Sequence, residues 1–223
     1  MHFVAFILLM LTQKSLALAA RELAARDEIL AGILAKHGDP PLWRRATGFT
    51  TLVHIILEQQ VSLKSAKSML MRLQSAIEPF EPARFLELGD EYLRSLGVTR
   101  QKSAYLMHLS RTIESGELSF NRLTRMSDEE ARNVLTRIKG IGLWSADVYL
   151  LMAMRRADIW PAGDLALAVA MQELKGLATR PGPDELERLA EPWRPHRAVA
   201  ARMLWQHYLG KKNYERKVAK AQS

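Results

Sequence analysis

Residues 137 to 169 read RIKGIGLWSADVYLLMAMRRADIWPAGDLALAV. Two apolar helical runs are separated only by Lys139-Gly140-Ile141-Gly142, and Asp164 follows later, behind a Trp-Pro-Ala-Gly loop. Glycine lets the backbone take positive φ and approach a neighbour closely. The first N–H groups of the helix that starts at Leu143 have no acceptor within that helix. Such a hairpin is a surface that can receive phosphate without using a side chain. A short αα-hairpin that uses glycine only to turn fits the same residues. Arg137 and Lys139 beside the turn favour the phosphate reading.

Working outward, apolar residues recur with a helical period along the whole chain, and alternating strand patterns are nearly absent. The expected fold is all-α. Helices are predicted at 13–24, 26–37, 47–59, 62–77, 82–88, 91–96, 100–115, 128–138, 143–155, 165–176, 184–191 and 195–209. Ser127-Asp-Glu-Glu130 has the form of a capping box, and Thr99 and Asp90 are N-cap candidates. Gly97, Gly116 and Gly176 stand where helices end on glycine. The expected organisation is an N-terminal helical segment (1–46) packing on the second lobe, a helical lobe over 47–160 that contains the hairpin, and a third stretch (161–223) with the Asp164 loop and C-terminal helices. The basic tail KKNYERKVAKAQS is expected to be frayed.

The chain has 223 residues, 48% of them hydrophobic, enough to bury a substantial core. Lys plus Arg number 32 against 24 Asp plus Glu, a net charge of +8, which favours a polyanionic partner. The absence of cysteine excludes disulfides, thiolate zinc sites, iron–sulfur clusters and a Cys nucleophile, and it suits an intracellular setting, cytoplasmic or nuclear. The six histidines show no metal-binding pair, and His54 with Glu58 suits a solvated helix face. The opening MHFVAFILLML is too short to span a bilayer and lacks a basic n-region. Met10 is the expected initiator, with a short helix or strand capping the core as the alternative.

The stretch LTRIKGIGLWSADVYLLMAMRRADIWPAGDLAL resembles the helix-hairpin-helix, loop and aspartate of the helix-hairpin-helix DNA glycosylase superfamily, in particular its 3-methyladenine DNA glycosylase II branch. GFTTLVHIILEQQVSLKSAKSMLMRL is similar to the family's helix, wedge turn and following helix, and WRPHRAVAARMLWQHYL to its C-terminal helix. Together these segments run from about 47 to 209.

The resemblance implies two helical lobes with a substrate cleft between them and a hairpin that grips the DNA backbone. One side chain fills the gap left by an extruded nucleotide, and a carboxylate promotes N-glycosidic cleavage. Asp164 falls on the catalytic aspartate. Gln60 falls on the wedge position, with Gln59 beside it. Trp144 and Trp205 fall on aromatic positions lining the base pocket. Lys139, Gly140, Ile141, Gly142 and Leu143 form the DNA-binding turn. The backbone carbonyls of Thr136, Ile138 and Ile141 match those that hold a structural Na+ or K+, and no organic cofactor is implied. The implied partner is double-stranded DNA containing alkylated bases, met by a monomer and away from any membrane.

The chemistry is coherent from below. A base inside a duplex must be extruded before its bond to the sugar can be reached, at a cost of a few kcal/mol. Bases alkylated at N3 or N7 are cationic, so aromatic faces attract them and they leave readily. An ionised carboxylate beside C1′ would stabilise an oxocarbenium-like transition state. Asp164 is equally well placed to be only the N-cap of the helix LALAVAMQEL. Relatives with lyase activity carry a lysine at the place of Trp144, and an indole cannot form a Schiff base. A monofunctional enzyme is therefore expected.

Some positions depart from the pattern. Val148 stands where one bacterial member has a pocket tyrosine, and Tyr149, about 100° further around the helix, should not replace it. Gln60 is polar where that member has an apolar wedge. Trp43, Trp160 and Trp193 are expected to be structural. Lys102 is expected either to touch phosphate or to lie on a solvated face. The alternatives are a glycosylase of this fold for deaminated or oxidised bases, and a noncatalytic helix-hairpin-helix DNA-binding protein.

Overall fold

The computed structural model describes residues 10–221, with side chains described through Lys211. Most of the apolar opening therefore lies outside the described residues, as do the last two residues of the tail. Among the described residues there are twelve α-helices and one 3₁₀ turn, with no strand beyond an isolated bridge between Met10 and Arg156. In chain order the helices are α1 (Gln13–Ala24), α2 (Glu28–His37), α3 (Phe49–Glu58), α4 (Leu63–Ala76), α5 (Pro82–Ser95), α6 (Arg100–Glu114), α7 (Phe120–Leu123), α8 (Asp128–Thr136), α9 (Leu143–Met152), α10 (Leu165–Leu174), α11 (Pro183–Ala190) and α12 (Arg197–Ala221). No helix among the described residues is long and apolar enough to cross a membrane.

The chain forms two compact units, one over Arg45–Met154 and the other made of the chain before Arg45 and after Met154. In sequence the second crossing was expected near 160. Residues 155–160 instead belong with the termini, because the Leu11 N–H donates to the Arg155 carbonyl at 2.7 Å and Arg197 grips Asp158.

In the Arg45–Met154 unit, α3 is the central helix, with Leu52, Val53, Ile55 and Ile56 fully buried. An apolar run this continuous cannot face water, so α4, α6 and α9 pack around it. The local signals act as expected. Ser127 and Glu130 form a reciprocal capping box on α8, and Thr99 caps α6. Gly97 and Gly116 take positive φ just past α5 and α6. The two helices predicted at 82–88 and 91–96 are the two segments of α5, which meet at a kink where Gly89 leaves the helical conformation with φ 76° and ψ 176°. The Asp90 carboxylate there accepts from the Ser103 hydroxyl at 2.6 Å. Helix α7 was not expected, since four residues carry no measurable period.

In the other unit, α12 is the core. Ala198, Val199, Ala200, Ala201, Met203 and Leu204 are all fully buried, and α1, α2 and α10 pack against the helix. Asp27 caps α2 through one carboxylate oxygen and accepts the Trp193 indole N–H on the other at 2.8 Å. Trp193 and Trp160 are buried edge to face, with centroids 5.6 Å apart, so both are structural as expected. Helix α12 continues to Ala221, beyond the expected end at 209. The supposedly frayed tail has no glycine or proline after Gly210 to stop it.

Candidate active site and DNA interface

The hairpin is built by its two isoleucines. Ile138 and Ile141 are buried, and the Ile141 N–H donates back to the Ile138 carbonyl at 2.9 Å, closing the turn. Lys139, Gly142 and Leu143 are left exposed. Gly140 has φ 92°, and a Cβ on it would stand 2.3 Å from the ring of Tyr105. Glycine is thus required both by the backbone and by the neighbour. Gly142 differs, with φ −84° and open space around its Cα. As N-cap of α9 it offers no side chain to the first N–H groups, which leaves room for an anion at a positive helix end. Arg132 ties α8 to α9 through Asp147 at 2.6 Å, a pairing not evident in the sequence.

The wedge turn follows α3 in the same unit. Gln60 is exposed at φ 58°, a left-handed conformation that is uncommon for a residue with a side chain. Gln59 does not share the wedge position. Its amide is turned inward, donating to the Gly140 carbonyl at 2.8 Å and to the Ser145 hydroxyl at 3.1 Å. Lys102 likewise does not reach outward, because its ammonium donates to the Leu57 carbonyl at 2.7 Å, at the end of α3. Burial lowers its pKa from the usual lysine value. Trp144 is half-buried at the start of α9, whereas Val148 is buried. Tyr149 is fully buried and its hydroxyl accepts the Gly48 N–H at 3.0 Å. Burial pushes that hydroxyl up to about 12, so it is a neutral support for α3.

The carboxylate belongs to the unit formed by the chain ends. The loop before it is held by the Asp158 carboxylate, which accepts from Arg194 at 2.7 Å and from Arg197 at 3.0 and 3.1 Å. Asp164 is the N-cap of α10, and its Oδ1 accepts the Leu167 N–H at 3.0 Å. The same oxygen also accepts the indole N–H of Trp205 at 3.0 Å. Capping requires only the first of these bonds. The second fixes the orientation of the carboxylate. Asp164 is 9% exposed, while its chain neighbours Gly163 and Leu165 are open to solvent.

Trp205, expected as a pocket-lining aromatic, is 7% exposed and its indole N–H holds Asp164. Its ring meets the edge of Trp43, centroid to centroid 6.3 Å. Trp43 is half-buried at φ 44°, a strained conformation for an indole residue, and the sequence offered no sign of its place here. The preceding Leu42 carbonyl accepts from Arg202 at 3.1 Å. Arg202 is fully buried, which brings its pKa down to about 10. Among the described residues no cluster of His, Asp and Glu side chains could hold a metal ion.

The family described as HhH-GPD superfamily base excision DNA repair protein matches residues 53–195, a span that contains the wedge turn, the hairpin and Asp164. The chain belongs to this family. Among its relatives, a DNA-3-methyladenine glycosylase of Bacillus subtilis is 28% identical over 171 residues, covering 70% of this chain. This chain spans 56% of that relative's length. The structure of Schizosaccharomyces pombe 3-methyladenine DNA glycosylase in complex with abasic DNA is similar with a TM-score of 0.78 and 26% identity, covering 84% of this chain and 95% of that one. A DNA-3-methyladenine glycosidase from Bacillus halodurans has a TM-score of 0.76 and 29% identity, with 85% and 88% covered. Two residues of this HhH-GPD protein's carboxylate cluster, Trp43 and Trp205, lie outside the matched span.

Proposed function

We propose that this HhH-GPD protein is a monofunctional DNA glycosylase that extrudes alkylated bases of the 3-methyladenine and 7-methylguanine class from duplex DNA and hydrolyses their N-glycosidic bond, the first step of base excision repair. The observation that carries this reading is the Asp164 carboxylate, held by two N–H donors on one oxygen rather than by a cap alone. The names of the relatives support the choice of alkylated bases.

In this reading the N–H groups at the start of α9 and the Lys139 ammonium receive phosphate, and Gln60 fills the gap left in the stack. The half-buried Trp144 offers an indole face to the extruded cationic base. The bond from C1′ to the base breaks with its electron pair leaving on the base, and the base's own positive charge is neutralised as it departs. Asp164 stabilises the positive charge that develops at C1′ and orients the water that adds there. That water loses one proton, and an abasic site and a free base remain. Trp144 has no amine, so no covalent adduct with the sugar forms. The reaction consumes water and needs no organic cofactor. The carbonyls of Thr136, Ile138 and Ile141 would hold a monovalent cation. The Ile138 carbonyl accepts the Ile141 N–H, and its second lone pair would face such an ion, whose positive charge would favour a bound phosphate. The protein acts as a monomer on DNA.

The test is chromatographic. Methylated duplex DNA is incubated with the parent and with Asp164→Asn, and each free base is quantified. Release of methylpurines by the parent and not by the variant supports the assignment. If neither releases a base while both bind DNA, deaminated and oxidised bases become the next substrates, and a noncatalytic role follows if those also fail.

A further inference from the structure

The wedge turn and the hairpin are far apart in sequence, yet one side chain joins them. Gln59 is the C-cap of α3, immediately before the exposed Gln60. Its amide donates both to the carbonyl of Gly140, at the tip of the hairpin, and to the Ser145 hydroxyl on the first turn of α9. A primary amide has two N–H groups, and here both are spent on the hairpin. Helix α6 braces the same two pieces from one face. Lys102 holds the Leu57 carbonyl at the end of α3, and Tyr105, three residues on, packs against Gly140.

Resting on the proposed glycosylase reading, we infer that Gln59 is a positioning residue that makes the phosphate-gripping hairpin and the Gln60 wedge one rigid body, so that energy gained on the backbone is used to extrude the nucleotide. Gln60 sits at positive φ, where a loose turn would relax to an ordinary conformation and withdraw the wedge. The Gln59 amide opposes that relaxation from the adjacent residue. Without it the hairpin still binds phosphate, but the wedge is no longer registered to it.

This role has a signature that damage to the fold or to the carboxylate lacks. A base that is already unstacked needs no wedge. Single-turnover excision of one N7-methylguanine is measured in a fully paired duplex and in the same duplex with that nucleotide in an unpaired bulge. The proteins are the parent, Gln59→Met, which keeps the length without the donors, and Gln59→Glu, which sets an acceptor against the Gly140 carbonyl. The expected result is a loss of about tenfold or more on the paired lesion, larger for Gln59→Glu, with rates near the parent's on the bulged lesion. Affinity for undamaged duplex should change little. Equal slowing on both substrates would mean a purely structural residue and would overturn the proposal, as would parental rates on the paired lesion. A variant too unstable to assay is replaced by the milder Lys102→Met, for which the paired-over-bulged rate ratio should likewise fall below the parent's, and an unchanged ratio overturns the brace. If the parent itself excises from neither substrate, the glycosylase assignment fails instead.

Discussion

The indole N–H of Trp205 lies 3.0 Å from Oδ1 of Asp164, on the oxygen that also caps α10. The two residues are far apart in the chain, and α12 carries the indole against the loop that presents the carboxylate. Trp205→Phe keeps an aromatic ring and removes this donor. A hydrogen bond to a charged group contributes about 1.5–3 kcal/mol, so base release should slow by about 10- to 100-fold. Asp164→Asn can still cap α10, and its thermal midpoint should stay close to the parent's while excision falls by about 10²-fold or more. A large drop in stability together with activity would instead mark Asp164 as structural.

The two glycines of the hairpin should respond differently. Gly140→Ala meets both a positive φ and the Tyr105 ring, so it should lower stability by about 1–3 kcal/mol and weaken DNA binding. Gly142→Ala meets neither, so its unfolding midpoint should match the parent's. Denaturant titration distinguishes the two, and adding Tyr105→Ala should recover part of the Gly140→Ala loss.

Lys139 is exposed on the hairpin and its ammonium makes no hydrogen bond or ion pair among the described residues, so its contribution should be electrostatic. Lys139→Ala should weaken binding to any duplex alike and reduce the slope of log K against log salt by about 1. An unchanged slope would place Lys139 away from the phosphates.

Acid should destabilise the fold through its histidines. Burial lowers the pKa of His54, against the opposing effect of Glu58 and with help from Arg45 and Lys67. Burial likewise lowers His37 and His207. Below the ordinary value of 6.5 the unfolded chain takes up protons that the folded protein refuses until its own lower pKa is reached. Stability is therefore full above about pH 6.5 and declines as the pH falls through that window. Thermal midpoints measured between about pH 7.5 and 5.5 should fall, and His54→Gln should make the fall shallower.

The residues that were legible in the sequence share one property, which is that their roles are local. The capping box at Ser127, the C-terminal glycines, the Gly140 turn and the helix-capping position of Asp164 each depend on a few neighbouring residues. The inward turn of Gln59, expected beside Gln60 at the wedge, is not visible in the sequence because its partners lie some eighty positions away, and a polar residue beside a turn looks the same whether it faces DNA or the protein. Lys102 was ambiguous for the same reason. Trp43 carried no local signal, since its contact with Trp205 and the Arg202 bond to the neighbouring Leu42 carbonyl both join it to a helix at the far end of the chain.

The sequence by itself determined an all-α chain, its hairpin, the positive charge suited to a polyanion and the aspartate behind the loop, because helical period, turn chemistry and net charge are properties of short windows and of composition. Only the tertiary structure decided that Asp164 shares its oxygen with Trp205, that Gln59 points inward and that the chain ends form one unit. Those outcomes depend on which buried donors and acceptors find each other, and burial requires them to be paired across distances that no window of sequence spans.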